Sequence, residues 1–375
     1  MTKEQKLSEQ EISRYSRHLI LPQVGLEGQL KLKNSKVLAV GTGALGSPIL
    51  LYLAAAGVGR IGLVDFDVVE ESNLHRQIIH TTNDIKKSKV QSAKEKLEAL
   101  NPNSKIVTFN ERLTSSNALN IIKDFDIVID GTDNFPTRYL INDACVMLKK
   151  PFVYGSIFRF EGQVSVFNYD GGACYRCLFP NPPKAGLVPS CSEAGVLGVL
   201  PGIIGTIQTN ELIKIILKIG EPLKNRLLSF DSLKMQFRDM KFNKNENCPI
   251  CSKNATIKEL IDYEEFCGLK EKTDIKVDEI TLEEFKSLLA KKDSIQIVDV
   301  RPKIDFDLNN IKDSINIPFE SLEDDINQID SLKKVIVVCK IGMLSKEAIL
   351  KLKNIGFKAE LYSLKGGVTS WLNDL

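Results

Sequence analysis

The chain has 375 residues, enough for two domains, and its 43% apolar and 26% charged residues are the proportions of an ordinary globular protein. Fifty basic residues against 48 acidic ones leave a net charge of +2, which gives no electrostatic case for nucleic acid or a membrane surface as a partner. The polar opening MTKEQKLSEQE has no apolar core, so secretion is not expected. Eight cysteines, four of them in two C-x-x-C pairs, favour metal and thiol chemistry in a reducing cytoplasm over disulfides.

The first thirty residues carry a polar helix pattern, LSEQEISRYSRHLIL, with Arg14, Arg17 and His18 on it. Val37 to Val40 then read as a buried parallel strand running into GTGALG, and Ser47-Pro48 opens an apolar helix that ends near Gly57. A second apolar strand, Ile61 to Val64, finishes on Asp65 and Asp67. Strand, glycine turn, helix, strand and terminal acid form the fingerprint of a nucleotide-binding unit. In that pattern Gly41 permits the tight turn, Gly43 lets backbone N–H groups approach phosphate, and Gly46 allows close packing of helix on strand. No charge falls between Val37 and Gly59, yet the glycines and Pro48 interrupt the run early. The interior of an α/β domain explains it better than a membrane span.

A polar loop, VVEESNLHRQIIHTTNDIKKSKV, is followed by a helix carrying Val90, Ala93, Leu97 and Leu100 at helical spacing. Asn101-Pro102 stops it. Strand Ile106 to Phe109, a helix around Leu119 to Ile122, strand Ile127 to Ile129 ending in DGTDN, helix Arg138 to Leu148 and strand Phe152 to Tyr154 continue the alternation. The fold class is α/β, a doubly wound Rossmann-like mixed sheet. From Gly162 the period changes to two, which predicts antiparallel strands at one edge. CYRC (Cys174, Cys177) follows, then a Pro/Gly-rich loop holding Cys191, a long apolar helix over about Ile203 to Leu217, two strand-like stretches, and CPIC (Cys248, Cys251). Residues 1–251 are therefore expected as one domain, 252–277 as linker, and 278–375 as a smaller α/β domain. In the latter, helix Leu282 to Leu289, strand Ile295 to Val298 before DVR, and strand Val335 to Val338 before CKIGMLS lead to helix Lys346 to Leu352, a last strand and GGVTSW.

Four groups of residues carry chemistry. Asp67, Asn73, Arg76, Lys89 and Asp133 all lie just after strands or helices of the fingerprint half, where the ligand crevice of such a sheet opens. Two cations, several carboxylates and an amide exceed what a dinucleotide pyrophosphate needs and suit a triphosphate with magnesium. Cys174, Cys177, Cys248 and Cys251 have the spacing of a closed, structural zinc site, with disulfides or redox pairs as the alternative. Cys339 ends a β-branched strand at a tight loop before a helix, where backbone N–H groups and the helix N-terminus stabilise a thiolate or persulfide anion. By composition Cys191 reads as an idle thiol, Cys145 as core, Cys267 as unassigned, and three histidines give little support to a triad.

These segments resemble a known family over nearly the whole chain. GTGALG, LVDFD, SNLHRQ, KSKV, DGTDN, both C-x-x-C pairs and SEAGVLG are similar to the molybdopterin-synthase and thiamine-biosynthesis adenylyltransferases, relatives of ubiquitin-activating enzymes. The tail, with DVR, CKIGMLS and GGVTSW, resembles a single rhodanese domain. The resemblance implies ATP-dependent adenylation of the C-terminal glycine of a small ubiquitin-like sulfur carrier. Sulfur transfer from a rhodanese persulfide then gives a thiocarboxylate for molybdopterin-type cofactor synthesis, or for thiamine, cysteine or thiolated tRNA. It implies ATP, Mg2+ and Zn2+ as cofactors, and a cysteine desulfurase or thiosulfate as sulfur donor. Gly41, Gly43 and Gly46 would shape the ATP loop, Asp65 hold the ribose, Asn73, Arg76 and Lys89 contact phosphates, and Asp133 bind magnesium. Arg17 matches an arginine lent to the neighbouring subunit, implying a homodimer. Cys191 matches a loop cysteine that bonds to the carrier, and Cys339 the persulfide cysteine. Asn310-Ile311 and Asp313-Ser314 depart from the rhodanese pattern around Asn-Ile-Pro. An NAD-dependent oxidoreductase with a fused sulfurtransferase domain and a catalytically idle scaffold are the competing readings.

Overall fold

In the first unit the central strands are apolar on both faces, because helices cover the sheet on each side. A computed structural model describes residues 6–183, 194–269, 277–289, 295–372 and 374, and divides the chain into units Met1–Lys270 and Glu271–Leu375. The first unit holds strands β1 (Lys36–Val40), β2 (Arg60–Val64), β3 (Lys105–Phe109), β4 (Ile127–Asp130), β5 (Phe152–Phe158), β6 (Glu161–Phe167), β7 (Arg226–Asp231) and β8 (Gln236–Lys241). They lie in the order β3-β2-β1-β4-β5-β6-β7-β8. The strands from β3 to β5 are parallel, and β6, β7 and β8 continue antiparallel, as the change of period at Gly162 predicts.

The chain leaves β1 toward β2 on one side and returns through β3 to β4 on the other. This reversal opens a crevice at the carboxyl ends of β1 and β4. Helices Gly46–Ala56, Lys89–Leu100 and Leu200–Leu217 contribute to the apolar cluster on one face, and Phe135–Met147 to the cluster on the other. The last of these holds the fully buried Cys145, whose thiol is pushed up by burial. No helix among the described residues is long and apolar enough to cross a membrane.

Two segments differ from expectation. The N-terminal pattern is not one helix but two short ones, Glu9–Arg14 and Ser16–Leu19, joined at Tyr15. The Tyr15 ring is buried and its hydroxyl accepts a hydrogen bond from Asn101 Nδ2, so tertiary packing overrides the helical period. Most of 252–277 was expected to be linker, yet the first unit extends to Lys270. Tyr263 and Cys267, on and beside the helical turn Tyr263–Phe266, are buried in the cluster around Phe135–Met147. Spaced apolar residues in a polar stretch have no period to reveal them.

The second unit is a five-stranded parallel sheet of β9 (Asp278–Ile280), β10 (Ile295–Asp299), β11 (Ile315–Asn316), β12 (Lys334–Val338) and β13 (Glu360–Leu364). The order is β11-β10-β12-β13-β9. Helix Leu344–Asn354 packs into the core on one face. Phe285 of helix Leu282–Leu289 and Trp371 of helix Gly367–Leu372 meet edge to face on the other.

Candidate active site

The glycine turn after β1 is wedged against the loop after β4. Gly41 has φ +93°, and a Cβ there would stand 2.6 Å from Gly131 O; a Cβ on Gly131 would stand 2.6 Å from Gly41 O. Gly46 packs against the same Gly41 carbonyl, whereas a Cβ on Gly43 would find Gln77 Nε2 at 3.4 Å, an ordinary contact. Gly41 and Gly46 are thus fixed by backbone packing, and Gly43 by openness above the loop. Thr42 is held from three directions. Its N–H and Oγ1–H donate to Asp65 Oδ2 at 2.8 and 2.9 Å, and its carbonyl lies 3.1 Å from His80 Nε2. His80 Nδ1 lies 2.8 Å from Ser92 Oγ on helix Lys89–Leu100, and burial holds the ring below the ordinary imidazole value. The next three N–H groups, of Gly43, Ala44 and Leu45, have no partner among the described residues and precede the first turn of helix Gly46–Ala56. Consecutive free donors at a helix N-terminus form an anion site.

The expected side chains gather around this loop, with adjustments. Asp65 accepts from Thr42 through Oδ2 and from the Asp67 N–H through Oδ1 at 3.0 Å, so it fastens the loop and keeps acceptor capacity to spare. The Lys89 ammonium is buried and paired with the exposed Asp67 carboxylate at 2.9 Å. Buried Asn73 accepts from the Glu70 N–H at 3.4 Å, and Arg76 donates to Ser72 O at 3.0 Å. Asp133 lies two residues beyond Gly131, exposed and without a partner among the described residues. Arg17 is exposed and likewise unpaired. Cys191 lies outside the described residues, but Gly198, seven residues on, packs on the His75 carbonyl at a would-be Cβ distance of 2.6 Å.

Sequence reasoning passed over several residues. The Gln77 side chain is 5% exposed and its Oε1 is buried without a partner, an orphaned acceptor beside Gly43. Asp130, fully buried at the end of β4, accepts from Thr132 N–H and Oγ1–H at 2.8 and 2.6 Å and pairs with Arg138 Nε at 3.0 Å. The aspartate of an apolar IVID strand is the one signal that could have exposed this buried pair. It sets the shape of the loop that bears Asp133.

At the far edge the four expected cysteines come together. Their Sγ atoms lie within 4.8 Å of one another, with Cys174–Cys177 at 3.8, Cys174–Cys248 at 3.5 and Cys177–Cys251 at 3.4 Å. A disulfide would require about 2.05 Å. Four zinc–sulfur bonds of about 2.3 Å in a tetrahedron put the sulfurs about 3.8 Å apart, so the donor set fits zinc. Arg176, inside the first pair, is buried and forks onto Asp143 at 2.8 Å, and Tyr263 Oη–H donates to the same carboxylate at 2.9 Å.

In the second unit Cys339 follows β12 and is 2% exposed. Its Sγ accepts from the Gly342 N–H at 3.1 Å and lies 3.5 Å from Ser345 Oγ, which is 2.8 Å from Ser363 Oγ. Gly342 has φ +90°, which folds the loop over the sulfur. Arg301 forks onto Asp299 and also donates to the Asn309 carbonyl at 2.7 Å, holding the divergent 309–314 stretch; within it Asp313 adopts φ +66°.

The model of the ThiF family matches residues 15–250, and that of the rhodanese-like domain matches residues 281–374. The chain belongs to the ThiF family. It is 44% identical over 382 residues to the probable adenylyltransferase/sulfurtransferase MoeZ of Mycobacterium tuberculosis, covering 98% of this chain and 95% of that protein. It is also 44% identical to the adenylyltransferase and sulfurtransferase MOCS3 of Aedes aegypti, covering 99% and 89%. The sulfur carrier protein adenylyltransferase of Thermus thermophilus is 52% identical and matches 70% of this chain and 99% of its own. The crystal structure of E. coli MccB with ATP shares the fold, with TM-score 0.56 and 23% identity over 64% of this chain and 74% of MccB. This ThiF-family chain is accordingly an adenylyltransferase joined to a sulfurtransferase, and the oxidoreductase reading is not favoured.

Proposed function

We propose that the first unit uses ATP to adenylate the C-terminal carboxylate of a small ubiquitin-like sulfur carrier, and that Cys339 of the second unit delivers sulfur to it. The observation that carries this reading is the trio of free N–H groups at Gly43 to Leu45, wedged through Gly41 and Gly131 against the loop bearing Asp133. The nest binds phosphate, Asp65 meets the ribose, and Gln77 offers its unpaired oxygen to the bound nucleotide. Asn73, Arg76 and Lys89 orient the phosphates and offset charge on the leaving pyrophosphate, Lys89 exchanging Asp67 for phosphate. Asp133 would hold a magnesium ion, which when bound neutralises negative charge on the triphosphate.

A carrier carboxylate oxygen bonds to the α-phosphorus while the bond to the bridging oxygen breaks, releasing pyrophosphate. The terminal sulfur of a Cys339 persulfide then bonds to the acyl carbon and AMP leaves, giving an acyl disulfide. The Cys191 thiolate attacks the Cys339 sulfur, thiocarboxylate departs, and two cellular thiols reduce the remaining Cys191–Cys339 disulfide, leaving joined as a disulfide of their own. The Gly342 N–H bond to Sγ supports the sulfur anion. The persulfide comes from a cysteine desulfurase or thiosulfate. The four thiolates would hold zinc in a closed, structural site. Exposed, unpaired Arg17 completes the neighbouring subunit's site in a homodimer. Free thiols throughout the described residues suit a cytoplasmic setting.

The test is carrier-dependent exchange of labelled pyrophosphate into ATP, which must occur with at least one carrier. Cys339→Ala is expected to retain exchange and lose thiocarboxylate formation; intact sulfur transfer in that variant would remove the second half of the scheme.

A further inference from the structure

In a planar trans peptide the carbonyl and the N–H point in opposite directions, so whatever holds a carbonyl aims the N–H beyond it. In the phosphate loop each plane has such a holder. The Thr42 N–H donates to Asp65 Oδ2, which fixes the Gly41–Thr42 plane. The Gly43 carbonyl accepts from the Ser47 N–H at 2.9 Å and from its Oγ–H at 2.7 Å, which turns the Ala44 N–H the other way. Asp65 and Ser47 both belong to the strand, turn, helix and strand of the fingerprint. The plane between them, Thr42–Gly43, is held from outside it, by His80. That side chain is 4% exposed, and its Nε2 lies 3.1 Å from the buried Thr42 carbonyl. A carbonyl only accepts, so Nε2 carries the proton. The neutral ring then turns the Nδ1 lone pair to the hydroxyl of fully buried Ser92 at 2.8 Å, on the helix that begins at Lys89. The His80 N–H bonds to the Gln77 carbonyl at 3.0 Å, so the ring sits on the same polar loop as Asn73 and Arg76.

We infer that His80 is a positioning residue for the phosphate nest: its Nε2–H fixes the Thr42–Gly43 peptide so that the Gly43 N–H faces the triphosphate before ATP arrives. The inference deepens the function proposed above and rests on its nucleotide site. The hydrogen bond to the carbonyl also polarises the peptide and makes its N–H a stronger donor. Without His80 the buried Thr42 carbonyl loses its partner, and the peptide turns to find another. Bound phosphate must then turn it back, and that reordering weakens affinity. The loss of one such bond corresponds to about ten-fold in affinity.

The experiment measures equilibrium binding of ATP with magnesium to the full chain without carrier. Beside it are taken KM and kcat of carrier-dependent pyrophosphate exchange. His80→Gln sets an amide N–H where Nε2–H was and keeps the bond to Thr42, whereas the shorter His80→Asn reaches only Ser92. His80→Asn is expected to weaken ATP binding about ten-fold and to raise KM for ATP alike. Its kcat should stay within about three-fold, because the nest holds phosphate equally before and during the reaction. His80→Gln is expected to recover binding to within about three-fold of the natural chain. Both variants give up the ring and should weaken similarly in urea unfolding, so their difference in ATP binding reports the Thr42 bond and not stability. Equal ATP affinity in the two variants, or natural affinity in His80→Asn, would overturn the inference, as would a fall in kcat at natural affinity. ATP binding by the natural chain with no exchange for any carrier would sink the adenylation reading instead, and the two variants would still decide the role of His80.

Discussion

Gly131→Ala isolates the wedge between the two loops of the nucleotide site. Gly131 does not need a left-handed backbone, so the substitution adds no dihedral strain; its effect is steric. The new Cβ would meet Gly41 O at 2.6 Å, Val40 O at 3.0 Å and Gly46 N at 3.2 Å, all backbone atoms that no rotamer change can move aside. Restoring an ordinary contact requires the loops to part by about 1 Å. Overpacking of this kind costs about 1–3 kcal/mol of stability. A displacement of about 1 Å between the phosphate nest and Asp133 is expected to slow adenylation about 100-fold. The assay is carrier-dependent pyrophosphate exchange, with urea unfolding of the same sample and persulfide loading of Cys339 as an internal control in the other unit. Gly43→Ala serves as the comparison, since its Cβ would meet Gln77 Nε2 at a comfortable 3.4 Å and unfolding should shift by less than about 1 kcal/mol. Exchange within three-fold of the natural chain in Gly131→Ala would refute the claim that close backbone approach sets the site.

Arg176→Met leaves the Asp143 carboxylate buried without its fork, and about 3–5 kcal/mol should be lost in urea unfolding. A loss under 1 kcal/mol would show that the Tyr263 hydroxyl and the Asn142 Nδ2–H, which donates to Asp143 Oδ1 at 2.9 Å, suffice. Cys177→Ser should abolish the single zinc expected per chain by elemental analysis and lower the thermal midpoint; full zinc content would remove the metal assignment. Desolvation holds His80 below its ordinary value, so the unfolded chain binds that proton more tightly. Its contribution is therefore complete above pH about 6.5 and declines as pH falls below that. His80→Gln should flatten the slope of unfolding free energy between about pH 6.5 and 5, and an unchanged slope would assign it to other groups.

The parallel half of the first sheet was legible because its strands are unbroken apolar runs ended by glycine or acid, and the edge was legible because the period switched at Gly162. The cysteine cluster was readable from spacing alone. What escaped has a common physical origin: groups whose role depends on a partner distant in sequence. Asp130 and Arg138 gain meaning only when an apolar strand buries a carboxylate beneath a helix. Gln77 and His80 sit in a polar loop without period, and their contacts to Gly43 and Thr42 appear only after folding. The residues after Cys251 looked like linker because a few apolar side chains docking on a neighbouring helix need no repeat. The distinct roles expected for the three fingerprint glycines go with distinct surroundings: Gly41 and Gly46 are closed in by backbone atoms, whereas a Cβ on Gly43 would meet only the Gln77 side chain.

The cysteine knuckle joins residues 74 positions apart, Cys174 to Cys248 and Cys177 to Cys251. On a ribosome, the first pair emerges long before the second, so no complete coordination shell exists while the antiparallel edge is being made. Capture of an ion by these four sulfurs would therefore follow synthesis of the last edge strand and precede synthesis of the second unit. Zinc starvation would then leave nascent chains with an unlatched edge at that stage of synthesis.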